Sequence, residues 1–206
     1  MKKTALLLAF FIAANFTFAQ LHFGPKIGYN TSKLSVDRSD IKTDLKNSFQ
    51  FGVFVRLGDK IYVQPEVNYL TQGGIFKTPE ITSLSPFEQE VNLKTIQIPV
   101  LVGYKLIDLK VANIRVMGGP VASIITNKNI ENKVDNYIAP IEDTDIKDMI
   151  WSIQLGAGID VLMFTLDVRY NIGLNKMIDV VNVGSEPLSF ESKTSGFNVS
   201  LGWKIF

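Results

Sequence analysis

Apolar and polar residues alternate along most of this chain with a period of two, the spacing of strands that show one face to an apolar medium and the other to a polar one. From the start of the first run, Leu21, Phe23, Pro25, Ile27 and Tyr29 oppose His22, Gly24, Lys26, Gly28 and Asn30. Similar runs occupy residues 48–57, 61–70, 96–104, 149–160, 164–173 and 197–205, and a less regular one, holding Gly118, Gly119 and Pro120, occupies 114–124. The pattern predicts eight strands of about 9–11 residues, the length a tilted strand needs to cross a bilayer. Helical periodicity is almost absent, and no stretch after the first segment approaches a transmembrane helix.

The connections alternate in length. Segments 57–60, 106–113 and 161–163 are short, whereas 31–47, 75–92, 126–147 and 175–194 are long and polar. Four long loops then share one rim, and three short turns and both ends share the other, the asymmetry of transmembrane barrels with long loops outside the cell. The long segments hold 10 basic and 14 acidic residues, which leaves the strands sparsely charged. The expected fold is all-β: an eight-stranded antiparallel up-and-down transmembrane barrel over residues 20–206, in the bacterial outer membrane.

The first segment reads as an export signal. Lys2 and Lys3 precede an apolar run from Ala5 to Phe16 broken only by Asn15, and Thr17-Phe18-Ala19 supplies the small residues of a cleavage site before Gln20. A signal peptide over 1–19 is expected. Composition narrows the function. With 21 Lys plus Arg against 20 Asp plus Glu, the basic excess of a nucleic-acid binder is missing. The absence of Cys removes disulfides, thiol nucleophiles and Cys-containing zinc sites.

Aromatics near the strand ends, Phe23, Tyr29, Phe49, Tyr62, Tyr69, Tyr104, Trp151, Phe164, Tyr170 and Trp203, suit the two interfacial girdles of a membrane barrel. A β-sandwich core would use the same residues. Two features strain the barrel. Pro25, Pro65, Pro99 and Pro120 fall inside strands, where bulges near the rim would tolerate them. Phe206 suits a terminal aromatic but is out of phase with the last run; a bulge near Lys204 would reconcile them, though the sequence does not show one.

Three stretches carry a family resemblance: Tyr62-Val-Gln-Pro-Glu-Val-Asn-Tyr69, Ile98-Pro-Val-Leu-Val-Gly-Tyr104 and Leu166-Asp-Val-Arg-Tyr-Asn-Ile-Gly-Leu174. They resemble the small outer-membrane barrels of Bacteroidetes called PorT-like, or loosely the porin family. The resemblance implies fold and location. One branch is linked to protein secretion, so it also implies envelope or secretion proteins as partners.

Chemistry is scarce. A lone His22 at the short-turn end offers no nucleophile and base together, so no enzyme is expected. Glu142, Asp143, Asp145 and Asp148 lack the Gly and terminal Glu of a calcium loop, and Gly73-Gly74 and Gly118-Gly119 precede no helix that would cradle phosphate. No metal or cofactor is expected. The polar faces are more informative: Lys26, Arg56, Glu66, Arg115, Asp160, Asp167, Arg169 and Lys204 share one side of the strands. Charges in a narrow lumen must pair, so Arg56, Glu66, Arg115, Asp167 and Arg169 are expected to form a structural network. Parity alone does not say which face is inside, and a soluble barrel with an apolar interior is the competing architecture. Arg169 and Asp167 in mid-strand favour a hydrated lumen.

The function expected is a structural, adhesion or interaction role exerted through the outer loops, without a wide pore. An accessory part in secretion and a narrow solute channel are the alternatives. Outer-membrane lipid, lipopolysaccharide and the barrel-assembly machinery are the expected partners, with no nucleic acid among them.

Overall fold

A strand in lipid with an unpaired edge leaves N–H and C=O groups unsatisfied at several kcal/mol each, so a membrane sheet must close on itself. This one does. The computed structural model describes residues 21–36, 42–44, 46–77, 88–109, 111–132, 147–175, 181–183, 186–188 and 192–205. The signal segment, the cleavage point at Gln20, Phe206, and Glu142, Asp143 and Asp145 lie outside the described residues. Eight long strands build the wall: β1 (Leu21–Val36), β2 (Lys46–Gly58), β3 (Ile61–Lys77), β4 (Glu88–Asp108), β5 (Ala112–Asn132), β6 (Met149–Val161), β7 (Phe164–Gly173) and β8 (Ser192–Trp203). Each pairs antiparallel with the next, and β8 pairs with β1. Short strands lie outside the ring: Lys42–Asp44 against the end of β3, and a hairpin of Val181–Val183 with Glu186–Leu188.

The register fixes the shape. A path along the ladders from Leu21 crosses Leu57, Val63, Val102, Gly118, Leu155, Tyr170 and Phe197, and re-enters β1 at Thr31, ten residues further on. A stagger of this size over eight strands tilts them by about 40° and leaves an interior just wide enough for side chains.

Burial decides the question that parity leaves open. Ile27, Phe51, Val53, Val102, Leu155, Leu166, Val168 and Leu201 stand outward and exposed, whereas Lys26, Arg56, Glu66, Arg115, Asp160, Asp167 and Arg169 are buried. The apolar face is outside, and the barrel with an apolar interior is ruled out. Toward the short-turn rim the outer face carries Phe23, Tyr104, Phe164 and Trp203; toward the long-loop rim it carries Tyr29, Phe49, Tyr69, Trp151, Tyr170 and Phe197. Neighbours in the upper belt touch, Tyr29 edge-on to Phe49 at 5.7 Å and Tyr170 tilted on Phe197 at 4.7 Å. Phe164 and Tyr170 lie on one strand, so their belts are about 15 Å apart along the tilted axis.

Three expectations are corrected. The strands run longer than the alternation indicates: β4 and β5 have 21 residues each and β3 has 17. They take in parts of the long segments read as loops, namely residues 31–36, 46–47, 75–77, 88–92, 126–132 and 192–194. Above the bilayer both faces of a strand meet water or protein, so pairing continues after alternation has ended. The prolines produce no bulge. Pairing skips a step beside Pro65, Pro99 and Pro120 and resumes in the same register, because proline deletes a donor without adding a residue. The register shifts of β4 against β5 lie instead at Lys94/Thr95 and Lys105/Ile107. Lastly, β8 reaches Trp203 without the bulge sought near Lys204, while Lys204 and Ile205 bond by their N–H groups to Met163 O and Phe23 O.

Closure of all ladders into one ring makes unfolding all-or-none in mild detergent. The exported protein should migrate differently before and after boiling and give a β-type circular dichroism spectrum. Identical mobility in both states, or a helical spectrum, would contradict the ring.

Candidate functional site: charges spanning the lumen

Each strand of the ring sends alternate residues into the lumen, and the charged inward residues gather in its short-turn half. They meet in one chain of alternating sign. Lys26 on β1 donates to Glu66 Oε2 on β3 at 2.6 Å. Arg169 on β7 clasps the same carboxylate with both terminal nitrogens, at 2.9 and 2.7 Å, and reaches Asp167 at 2.5 Å. Asp167 accepts in turn from Arg115 on β5, which also donates to Thr165 and, through Nε at 3.1 Å, to Asp160 on β6. Asp160 accepts from Arg56 on β2 at 2.6 Å, and Lys204 lies 3.5 Å from the same carboxylate. Every acid thus sits between bases.

The chain runs through six of the eight strands, and Glu66 and Arg169 come from strands four apart, on opposite walls. The structure therefore brings together all five residues singled out for the network, Arg56, Glu66, Arg115, Asp167 and Arg169. It also shows where the surplus base goes: Lys26 ends the chain on one side, and Arg56 and half-buried Lys204 share its other end. Neutral groups complete the shells. Gln64 accepts from Arg56 Nε at 2.7 Å and donates to Glu66 at 2.6 Å, while Asn68 donates to Glu66 at 3.1 Å. Sequence reading missed these two amides, although they stand on the same face of β3 as Glu66. It also missed Lys105, whose ammonium meets Asp59 at 2.6 Å and Asp108 at 3.5 Å at the short-turn rim.

Tyr62 is a correction. It is 1% exposed and lies in the lumen, outside either aromatic belt. Its hydroxyl accepts from Arg115 Nη1 at 3.0 Å, and its ring lies 4.9 Å under the Arg56 guanidinium. Strand parity already sets Tyr62 opposite Ile61 and Val63, so the signal was present and its aromatic type obscured it. Room for such large groups comes from glycines across the ladder. Gly103 faces Tyr62, Gly156 faces Arg169 and Gly158 faces Asp167. A Cβ on Gly103 would strike the Tyr62 ring, and one on Gly156 would come within 2.7 Å of Arg169 Cγ.

Toward the long-loop rim the lining becomes neutral. Asn198 donates to Asn30 at 2.6 Å and to Gln50 at 2.9 Å, and Asn30 donates to Gln50 at 3.1 Å. A cavity of about 20 Å³ lies here among Gln72, Gln97, Gln154, Asn171 and Asn198. That is room for one or two waters. Leu70 lines it too, and Val91, Leu93, Ile125 and Ile150 are also buried. Asp148 of the acidic segment is exposed and pairs with Lys128 at 2.8 Å.

Two variants test this packing. Arg169→Ala leaves Glu66 and Asp167 short of their shared base in a buried setting, so it should cost about 3 kcal/mol or more of stability, read as a lower unfolding midpoint in detergent. A midpoint equal to the parent's would remove Arg169 from the network's support. Gly103→Ala should also destabilise, and adding Tyr62→Leu should recover part of the loss. Simple additivity of the two would show that Gly103 does not make room for the ring.

Residues 15–179 match the family model described as outer membrane protein beta-barrel domain. No curated protein matches the chain. Among solved structures, Ail, the attachment invasion locus protein of Yersinia pestis, solved with the heparin analogue sucrose octasulfate, is 11% identical with a TM-score of 0.45, covering 90% of this chain and 99% of that one. The outer membrane protein OprG from Pseudomonas aeruginosa is 11% identical with a TM-score of 0.49, covering 90% and 94%. Neisserial surface protein A is 13% identical with a TM-score of 0.42, covering 89% and 97%. With most of its length matched by the family model, on a closed ring whose apolar face is outside, the chain belongs to the outer membrane protein beta-barrel domain family and is a protein of the bacterial outer membrane.

Proposed function

We propose that this protein is a non-catalytic platform that acts at the cell surface, in a structural, adhesion or interaction role, and that it does not conduct solutes through its lumen. The observation that carries the reading is the crossing of the lumen by Glu66 and Arg169 within a buried, paired chain of charges. A passing solute would have to break that chain, and breaking a buried pair costs about 3–5 kcal/mol. With the lumen closed, recognition is left to the rims. The long-loop rim carries the extended ends of β3, β4 and β5, and short turns of such barrels face the periplasm. Lipopolysaccharide in the outer leaflet and the barrel-assembly machinery are the partners this placement implies.

In planar bilayers the purified protein should give no stable, wide conductance, and reproducible large openings from the wild-type chain would defeat the reading. On whole cells, single cysteines at Asp40, Glu88, Asp135 and Glu186 should react with an impermeant label, in contrast to Asp59 and Asp108. The reverse pattern would invert the topology and move the active surface to the periplasm. Recovery in a stoichiometric complex with envelope proteins in gentle detergent would favour the secretion role that the PorT-like resemblance implies.

A further inference from the structure

The turns of the short-turn rim are unlike in chemistry. Between β2 and β3 the turn is Gly58, Asp59 and Lys60, with Asp59 paired to Lys105 and Lys60 set over the Tyr104 ring at 5.6 Å. This is ordinary chemistry for a turn in water. The turns β4–β5 and β6–β7 instead expose Leu106, Ile107, Leu109 and Val111, and Leu162 and Met163. Leu109 and Val111 are 62% exposed and Leu162 is 66% exposed. The charges beside them are Asp108, which is 3.5 Å from Lys105, and Lys110, which lies outside the described residues.

The two turns form one surface, because Leu162 N–H donates to Val111 O at 2.9 Å and Leu109 N–H closes its own turn on Ala112 O at 2.9 Å. Leu162 also holds φ at 52°, the left-handed conformation that L side chains rarely adopt and that tight hairpins give to Gly or Asn. A leucine kept there, with its side chain outward, places an apolar group at the tip at a conformational cost.

We infer that the β4–β7 side of this rim is a membrane-docking surface whose occupant is the phospholipid of the periplasmic leaflet. The argument for lipid is continuity. The patch runs without a polar break from the lipid-facing wall, through Ile114 and Val116 on β5 and Ile159 and Val161 on β6, all exposed and apolar. The exposed carboxylate of Asp108, between Ile107 and Leu109, suits the boundary between headgroups and acyl chains, where apolar side chains sink and charged ones stay wet. The adjoining β2–β3 turn, with Asp59 and Lys60 held against β4 by Lys105, stands in water. The barrel is thereby anchored in the leaflet by its β4–β5 and β6–β7 turns.

The test uses the absence of Cys in the natural chain. Single variants Leu109→Cys, Leu162→Cys and Asp59→Cys, each retaining the heat-dependent gel shift, are labelled with an environment-sensitive dye and reconstituted in phosphatidylethanolamine–phosphatidylglycerol vesicles. Dyes at 109 and 162 should lose about half their emission or more to a lipid-borne quencher and resist an aqueous one, while the dye at 59 should do the opposite. If Leu162→Cys does not fold, Met163→Cys reads the same surface. Equal aqueous quenching at all positions would overturn the inference. So would shielding at 109 and 162 that appears only when soluble periplasmic protein is added, which would make the occupant a protein.

Discussion

The constraint on which the rest of this structure depends is that no backbone donor or acceptor can be left open inside a bilayer. Eight strands meet it by closing into a ring with a ten-residue stagger, and that closure sets the bore before any side chain is chosen. A bore this narrow has to be filled. The wall must be apolar outside, so alternation makes the inner face the place for polar groups, and tight filling then demands that large and small residues face each other. Gly103 opposite Tyr62 and Gly156 opposite Arg169 are that demand expressed in sequence.

Filling a lumen with charge is costly unless each ion has partners on more than one side. Alternation of sign along Lys26, Glu66, Arg169, Asp167, Arg115, Asp160 and Arg56 meets this, because each carboxylate is held by at least two bases. Arginine takes the interior positions, while Lys26 holds one end and Arg56 and Lys204 share the other. A guanidinium bonds two carboxylates at once, as Arg169 does with Glu66 and Asp167, whereas the buried Lys26 ammonium at the terminus has one carboxylate partner, Glu66. The same pairs tie opposite walls together, so the barrel is braced across its diameter as well as around its circumference.

The wall was legible in the sequence because the bilayer imposes alternation, and the face bearing Lys26, Arg56, Glu66, Arg115, Asp160, Asp167 and Arg169 could be named residue by residue from parity. What was illegible had physical causes. Asn127-Lys128-Asn129-Ile130-Glu131-Asn132 reads as a loop, since its polar residues break the alternation, yet it is strand held by β4. Tyr62 was misplaced because aromatic rings are common to girdles and cores. Which base meets which acid depends on the stagger, and the stagger is a property of the closed ring that no single strand encodes.

The rim beyond the bilayer is built in the same way as the wall. At 21 residues, β4 and β5 reach about 50 Å along the axis once their tilt is taken out. The apolar band of such barrels is about 25 Å tall, so roughly half of each strand lies outside it. This portion has an interior of its own, because Val91, Leu93 and Ile125 are buried where no lipid reaches. Pairing and apolar burial together hold it as sheet. A surface carried on paired strands keeps its groups in fixed relative positions, so a partner that binds there meets a preorganised face and loses less freedom on binding. The charged lumen braces the walls from which that face rises, and the two halves of the barrel are linked through the same strands.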